Sequence, residues 1–457
     1  MNKDYVSLCN YQNDKLLIVP TGLLVRVINL LKKKNIEYSL TNLIDKKVID
    51  NGKELPSYLR INQIEAINKA IEKRRGVINL VTGYGKTVCI AELIRRLGDG
   101  VNCLVTVHRI NILYQLRKEI ATQLEMDEKE IGLIGNSKIS IKGITIASRD
   151  SITSKINSGD IRVIDYLKEV RVWLLDEVHR MANSSGALIS SYITNSEYRI
   201  GFTATDEVEA PCLLEGIVGP NIIRVLPSEA IEEKVIMEPD IRFYSVTNVI
   251  NSPLAKRLAG YKFNSFGPKE MRIYNILYDE IICKCPNRNK LAAELIYEYS
   301  LLDRGPIIVF VKKVATSGGT IDHADIVNSY LSTYGISLPV LHGNTSIKQR
   351  LSLENALRDN TIPGVIATIP ILSEGISIKS IGAMMFLQGG SAKRNKQTGK
   401  YESIEWIQGI GRALRIYEGK EKPIIFDFID SVSIFNTQAE KRFKCANDNY
   451  PGYVRRV

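Results

Sequence analysis

The sequence is poor in the features that would mark several protein classes at once. Its 457 residues include two tryptophans, four histidines and seven cysteines. Cys9, Cys89, Cys103, Cys212, Cys283, Cys285 and Cys445 are odd in number and scattered, which suits a reducing compartment and excludes a disulfide framework. Only Cys283 and Cys285 stand close together. The histidines (His108, His179, His323, His342) supply no second pair at ligand spacing, so no structural metal is expected. No apolar run nears the ~18 residues that cross a bilayer. The first ten residues carry Asp4 and lack a charged-then-apolar order, so no secretory signal is expected. These absences lead us to expect a soluble intracellular protein.

What is present is an ordinary apolar content of 44% and an excess of positive charge, 61 Lys and Arg against 50 Asp and Glu. At ~100–200 residues per domain the length allows two to four domains. The charge is uneven. Residues 1–55 hold nine basic and six acidic residues, 56–230 hold 22 and 21, and 231–457 hold 30 and 23. From Ile376 to Tyr401 no residue is acidic, while Lys379, Lys393, Arg394, Lys396 and Lys400 are basic. With Gly389, Gly390 and Gly399 loosening it, this stretch reads either as a flexible loop tracking a phosphate backbone or as a solvated lysine-rich loop.

Short β-branched runs alternate with longer amphipathic stretches, the pattern of strand–helix–strand units in a parallel sheet. Strands are expected at Val77–Val81, Cys103–Val107, Ile144–Ala147, Val172–Leu175 and Arg199–Phe202. A second series is expected at Ile307–Val311, Pro339–Leu341, Val365–Ala367, Ala383–Leu387 and Ile424–Phe426. Between the series, 228–289 reads as mostly helical and polar, placing a boundary near residue 230. Residues 1–55 read as a small α/β domain: an apolar run at 16–20, a helix over 23–35 with Thr21 placed to cap it, then an apolar run at 38–43. Lys32, Lys33 and Lys34 would end that helix, where the macrodipole alone explains them and a duplex contact is the alternative. The fold class is α/β, with domains at 1–55, 56–230 and 231–457.

The segment Leu80-Val81-Thr82-Gly83-Tyr84-Gly85-Lys86-Thr87 follows an expected strand and opens an expected helix, the context of a phosphate loop. Gly83 and Gly85 let backbone N–H groups converge on a phosphate at a helix N-terminus. Lys86 would reach the β- and γ-phosphates of ATP, and the Thr87 hydroxyl would ligate Mg²⁺. Leu80 stands where the full pattern has its first glycine. The run Val172 to His179 ends in Asp176-Glu177-Val178-His179 at the C-terminal end of a strand, where parallel sheets carry their active residues. Asp176 would hold Mg²⁺ through water, and Glu177 would orient and deprotonate the attacking water.

These residues resemble the superfamily 2 helicases and translocases, whose second motif reads Asp-Glu-x-His. The match extends across most of residues 58–430 and implies two tandem RecA-like lobes behind the small N-terminal domain. Leu59 to Ile67 looks like the adenine-recognition segment, which implies base-reading roles for Gln63 and Arg60. Arg199 to Thr205 is similar to the motif that couples hydrolysis to movement, implying coupling roles for Thr203 and Thr205 together with His179. Val365 to Thr368 with Ser373-Glu374-Gly375 looks like the strand-binding motif of the second lobe. Gln408-Gly409-Ile410-Gly411-Arg412-Ala413-Leu414-Arg415 matches the family's Gln-x-x-Gly-Arg-x-x-Arg motif. There Arg412 and Arg415 would be arginine fingers, with Gln408 near the γ-phosphate or the water.

A motor that closes and opens two lobes on ATP moves whatever both lobes grip. First-lobe candidates for a sequence-independent grip on DNA are His108, Arg109, Ser148 and Arg149. Second-lobe candidates are His342, Gly343, Thr368, Glu374, Gly375, Lys393 and Arg394. Within the superfamily the detail is most similar to UvsW-like, RecG-like and XPB-like DNA translocases, implying an ATP- and Mg²⁺-dependent enzyme that remodels forked or junction DNA. Asp206-Glu207-Val208-Glu209 departs from these relatives, which carry a Pro and an Arg there. An RNA helicase and a motor subunit of a restriction-type complex are the enzyme alternatives. A binding scaffold with a dead site would need a broken motif, and Lys86, Thr87, Asp176, Glu177, Arg412 and Arg415 are all in place.

Overall fold

The computed structural model describes residues 10–13, 16–39, 49–205, 210–263, 266–314, 322–368, 378–395 and 399–457. They fall into two compact units, Met1–Val225 and Leu226–Val457. The first unit begins with a ribbon of β1 (Asn10–Asn13) and β2 (Leu16–Ile18), then a 3-10 turn at Thr21–Leu23 and a helix at Leu24–Lys33. Thr21 does not cap that helix as expected. The intervening turn moves the helix start to Leu23, whose side chain accepts no capping bond. The turn packs closely on the helix Pro211–Ile217: a Cβ at Gly22 would lie 1.9 Å from the Glu215 carbonyl oxygen. Arg26 adds an ion pair to Glu215 at 2.5 Å.

The first unit's sheet contains β3 (Arg75–Leu80), β4 (Asn102–Val107), β5 (Gly132–Gly135), β6 (Lys138–Ser140), β7 (Ile144–Ser148), β8 (Val170–Leu175), β9 (Tyr198–Thr203) and β10 (Asn221–Val225). Their order is β10-β3-β9-β8-β4-β7-β5-β6, parallel throughout except for the β5–β6 hairpin. Every strand expected for this region is present. The sheet is buried on both faces, as parallel sheets must be, so β3, β4 and β8 read as continuous apolar runs. Trp173 of β8 is fully buried, donates its indole N–H to Thr106 Oγ1 at 2.8 Å, and lies under the buried Arg199 guanidinium.

The second unit's sheet contains β11 (Asp240–Val246), β12 (Ile307–Val311), β13 (Val340–Leu341), β14 (Gly364–Thr368), β15 (Ala383–Phe386), β18 (Ile424–Asp430) and β19 (Val454–Arg456), with a two-stranded ribbon of β16 (Lys393–Arg394) and β17 (Tyr401–Glu402) beside it. The sheet order is β13-β14-β12-β15-β18-β11-β19, all parallel. The expected strands of the second series are all here, and the two tandem parallel sheets with helices bear out the RecA-like architecture.

Two expectations are corrected, for residues 228–289 and 376–401. Residues 228–289 are not simply helical, because β11 lies inside them and pairs with β18 in register from Asp240↔Ile424 to Val246↔Asp430. The stretch after Asp430 forms the helix Ser433–Asn449 and then β19 on the far side of β11. The stretch 376–401 is not one flexible loop, since it supplies β15 and the ribbon strand β16, where Arg394 Nε donates to the Gly399 carbonyl at 3.0 Å. Among the described residues no helix is long and apolar enough to cross a membrane.

Candidate nucleotide and nucleic-acid site

The chain leaves β3 at Leu80 and turns through Gly83 (φ +91°) and Gly85 (φ +94°) into the helix Lys86–Leu97. Gly85 is required twice over. Its left-handed backbone is strained for any other residue, and a Cβ would sit 2.5 Å from Gln63 Nε2. Gln63 is buried, and its amide donates to the Tyr84 carbonyl at 3.0 Å; Arg60 Nη1 donates to the same oxygen at 3.0 Å. The two residues expected to read the base therefore also clamp the loop. Thr82 lies within the same turn, and Tyr84 is buried beneath the Arg60 guanidinium.

β8 delivers the carboxylates to the same end of the sheet. The Asp176 N–H donates to the Thr106 carbonyl at 2.9 Å, and Glu177 takes a left-handed conformation (φ +47°) that starts the turn Val178–Met181. A chain of contacts follows. Lys86 Nζ stands 3.5 Å from Glu177 Oε1, His179 Nδ1 stands 3.5 Å from Glu177 Oε2, and His179 Nδ1 lies 3.0 Å from Thr203 Oγ1. Thr203 donates to the Thr205 carbonyl at 3.0 Å and accepts from the Thr205 N–H at 3.2 Å. With the hydroxyl proton so committed, the network assigns Nδ1 as the protonated nitrogen of His179. Gly201 permits this approach, since a Cβ there would lie 2.6 Å from Val178.

Burial, reinforced by Glu177, pushes the Asp176 carboxyl up to about 7. Burial also works against the charge on Glu177, but the Lys86 ammonium brings its carboxyl below the usual range. His108 is pushed down to about 4 by burial, so near neutral pH it offers a hydrogen-bonding group and no positive charge.

One residue that the sequence did not single out joins the site. The Thr87 hydroxyl donates to Glu119 Oε2 at 3.2 Å, and Gln115 Nε2 donates to the other oxygen of Glu119 at 2.7 Å. No local motif marks Glu119, which arrives because the helix Ile110–Leu124 packs along the helix Lys86–Leu97. Thr87, Asp176 and the nearby Glu119 are hard oxygen donors, which suits Mg²⁺ and its preference for few protein ligands completed by water and phosphate.

Two of this unit's grip candidates, Arg109 and Ser148, line an open cavity of about 590 Å³ together with Ile134, Lys138, Ser151 and Lys155, and His108 and Arg149 are not part of its wall. Ser148 also caps the helix Arg149–Asn157, accepting from the Ser151 N–H at 3.2 Å. Arg149 pairs with Asp150 at 2.8 Å and donates to the Arg180 carbonyl at 2.9 Å.

In the second unit, Gln408 and Arg412 stand one turn apart on the helix Ile404–Ala413. Trp406 anchors that helix by donating to Asp427 Oδ2 at 3.0 Å. Gly409 lets the helix approach Phe386 and Phe310. Arg415 lies beyond the helix end and pairs with Ile236 in an antiparallel bridge. His342 and Gly343 form a turn in which the His342 N–H donates to Thr345 Oγ1 at 3.0 Å, and Thr368 ends β14. Lys393 and Arg394 are exposed on the ribbon. Glu374 and Gly375 lie outside the described residues, as does 206–209.

Two family models match the chain: "Type III restriction enzyme, res subunit" over residues 57–208 and "Helicase conserved C-terminal domain" over 288–417. A DNA 3'-5' translocase XPB2 of Sulfurisphaera tokodaii is 25% identical over 86% of this chain and 85% of its own length. Among solved structures, an ATP-dependent Type ISP restriction-modification enzyme LlaBIII bound to DNA is similar with a TM-score of 0.58 at 15% identity, covering 88% of this chain and 31% of that one. S. cerevisiae Dbp5 bound to RNA and ADP BeF3 is similar with a TM-score of 0.53 at 15% identity, covering 88% and 93%. At such identities these structures speak for the fold alone, and that fold is shared by proteins solved on DNA and on RNA.

Proposed function

Because the chain belongs to the superfamily 2 helicases and translocases, we propose that it is an ATP-driven DNA translocase that remodels forked or junction DNA, by unwinding, branch migration and fork reversal, in replication, recombination or repair. The observation that carries this reading is the continuous contact chain from Lys86 through Glu177 and His179 to Thr203 and Thr205. It joins the phosphate loop to the segment assigned to coupling within one unit.

In this reading the backbone from Thr82 to Thr87 cradles the phosphates of ATP, Lys86 exchanges Glu177 for the β- and γ-phosphate oxygens, and Gln63 and Arg60 meet the base. Glu177, held in its charged form, accepts the proton of the attacking water. Thr87 and Asp176 would hold Mg²⁺, which would supply charge neutralisation to the phosphates. Arg412 and Arg415 supply guanidinium charge to the transferring phosphoryl group, with Gln408 beside it. His179 links Glu177 to Thr203 and Thr205 through one line of contacts. DNA contacts fall to Arg109 and Ser148 at the first unit's cavity and to Arg149, with His108 as a neutral partner. In the second unit they fall to His342, Gly343, Thr368, Glu374, Gly375, Lys393 and Arg394. The assignment of DNA is supported by the XPB2 relative, which is a DNA 3'-5' translocase, and by the basic excess of residues 231–457.

The test measures ATP hydrolysis and strand separation with single-stranded DNA, linear duplex, fork, Holliday junction and RNA. Fork and junction are expected to stimulate most, and K86A and E177Q to abolish hydrolysis on every substrate. Equal stimulation by RNA overturns the assignment of DNA, and hydrolysis surviving either substitution overturns the site. The match to a type III restriction res-subunit model favours a second reading, a motor subunit that moves on duplex without separating it. Stimulation by linear duplex equal to that by forks, without unwinding, would select it.

A further inference from the structure

The helix Ile404–Ala413 that carries Gln408 and Arg412 ends in a stretch whose peptide groups are held from two sides. The chain runs on through Leu414 and Arg415, then turns back at Tyr417–Lys420, where the Lys420 N–H donates to the Tyr417 carbonyl at 3.1 Å. Gly419, at φ +73°, makes that reversal possible. The turn brings the Lys420 ammonium over the helix end, where it donates to the carbonyls of Ala413, of Arg415 (3.2 Å) and of Lys379 (3.0 Å). An ammonium has three N–H groups, and three carbonyls take all of them. From the opposite flank the Met237 N–H donates to the Leu414 carbonyl at 2.8 Å, and Ile236 pairs with Arg415. Three consecutive carbonyls, 413 to 415, are therefore each fixed by a named donor.

The third acceptor distinguishes this arrangement from an ordinary helix cap. A lysine that only capped the helix would bond the last carbonyls of its own helix. Lys420 also reaches Lys379, four residues past Gly375 in the sequence. The segment at Lys379 is rooted in the fold, because Ile378 is buried and Ser380 Oγ donates to the Leu357 carbonyl at 3.0 Å. Burial and then the Arg415 charge push Lys420 down to about 7. A charge placed at such cost is offset here only by the geometry of the three acceptors.

We propose that Lys420 is a positioning residue for hydrolysis: it fixes the backbone of Arg415 and the last turn bearing Arg412 against Lys379, so that the arginine pair is set in place by the same peptide segment that follows the Ser373-Glu374-Gly375 motif. The proposal rests on the reading of Arg412 and Arg415 as the groups that stabilise the transferring phosphoryl. It adds that their placement depends on a residue outside every motif, which touches neither nucleotide nor DNA.

The test uses the full chain with a forked duplex and ATP, comparing the wild type, K420M, K420R, R415A and the K420M/R415A double variant. K420M is expected to lower kcat roughly 10- to 100-fold, the scale set by small misplacements of catalytic groups, with KM for ATP within about twofold of wild type. K420R, which keeps a donor and a charge at the site, is expected to recover most of the loss. In the R415A background K420M is expected to add nothing, because its effect passes through Arg415. A kcat for K420M within about twofold of wild type overturns the proposal, as do losses that multiply in the double variant. If R415A itself keeps the wild-type kcat, the arginine reading falls; if R415A loses kcat and K420M does not, only the role of Lys420 falls. Should K420M lack a cooperative melt, G419A takes its place, since it strains the turn and displaces the ammonium without removing it. It is expected to lower kcat about threefold or more, and an unchanged kcat overturns the proposal.

Discussion

T203V is the sharpest probe of the contact chain, because one buried hydroxyl serves three bonds. Thr203 is 2% exposed, meets His179 Nδ1 at 3.0 Å, donates to the Thr205 carbonyl and accepts from the Thr205 N–H. Valine keeps the shape and removes all three. At about 0.5–1.5 kcal/mol net per hydrogen bond, the loss amounts to roughly 1.5–4.5 kcal/mol. At about 2–4 °C per kcal/mol for a unit of this size, the Tm of the first unit should fall by roughly 3–18 °C. T203S, which restores the hydroxyl, should recover most of that. The functional readout is separate. Below the melting range, T203V should keep basal ATP hydrolysis within severalfold while losing most of its stimulation by DNA, since Lys86, Asp176 and Glu177 are untouched. A T203V protein with unchanged Tm and unchanged stimulation would refute the network as drawn.

Other expectations follow from single residues. E119Q should weaken the Mg²⁺ dependence of nucleotide binding by about 10-fold, read by titrating Mg²⁺ against a fluorescent ATP analogue, because Glu119 orients the Thr87 hydroxyl much as outer partners orient metal ligands. An unchanged Mg²⁺ midpoint would remove Glu119 from the site. His323 is buried in the second unit, pushed down to about 3 by burial and then by Arg288. The unfolded chain therefore takes up a proton below about 6.5 that the folded chain refuses, and stability falls as pH drops. Between pH 6.5 and 5 the loss should be about 2 kcal/mol in urea unfolding, and H323Q should flatten that slope. A double K393A/R394A variant should reduce the slope of log affinity for DNA against log salt by about 1–2 without changing basal ATP hydrolysis, and an identical salt slope would take the ribbon out of the DNA path.

The candidate nucleotide site was legible in the sequence because it is built from local pieces. A strand, a glycine turn and a helix N-terminus are contiguous from Arg75 to Leu97, and Asp176 follows its strand directly. The sheet cores were legible for a similar reason: strands buried on both faces, such as Ile307–Val311, leave unbroken apolar runs. β11 escaped because Asp240-Ile-Arg-Phe-Tyr-Ser-Val alternates in burial and so mixes polar residues into the pattern, although it is an inner strand. β19 escaped because Val454-Arg455-Arg456 is short and charged, as suits a sheet edge. Glu119 and Lys420 escaped for a different reason. Their partners, Thr87 for one and Lys379 with Ala413 for the other, are fixed by how helices and turns pack, and no spacing along the chain encodes that.

The position of β11 also bears on the order in which this protein takes shape as it is synthesised. Asp240 pairs with Ile424, and Ile241 pairs with Val454, so the strand that begins the second unit waits for partners made almost a whole unit later. The first unit's main sheet has all eight of its strands by Val225 and can fold while the rest is still on the ribosome. The second cannot close its sheet until the final strands emerge, and its long-range pairings make it the slower folder. During that interval β11 offers two open edges. Truncation before Val454 should therefore do more harm than its few residues suggest, leaving an inner strand as an unprotected margin open to other nascent chains.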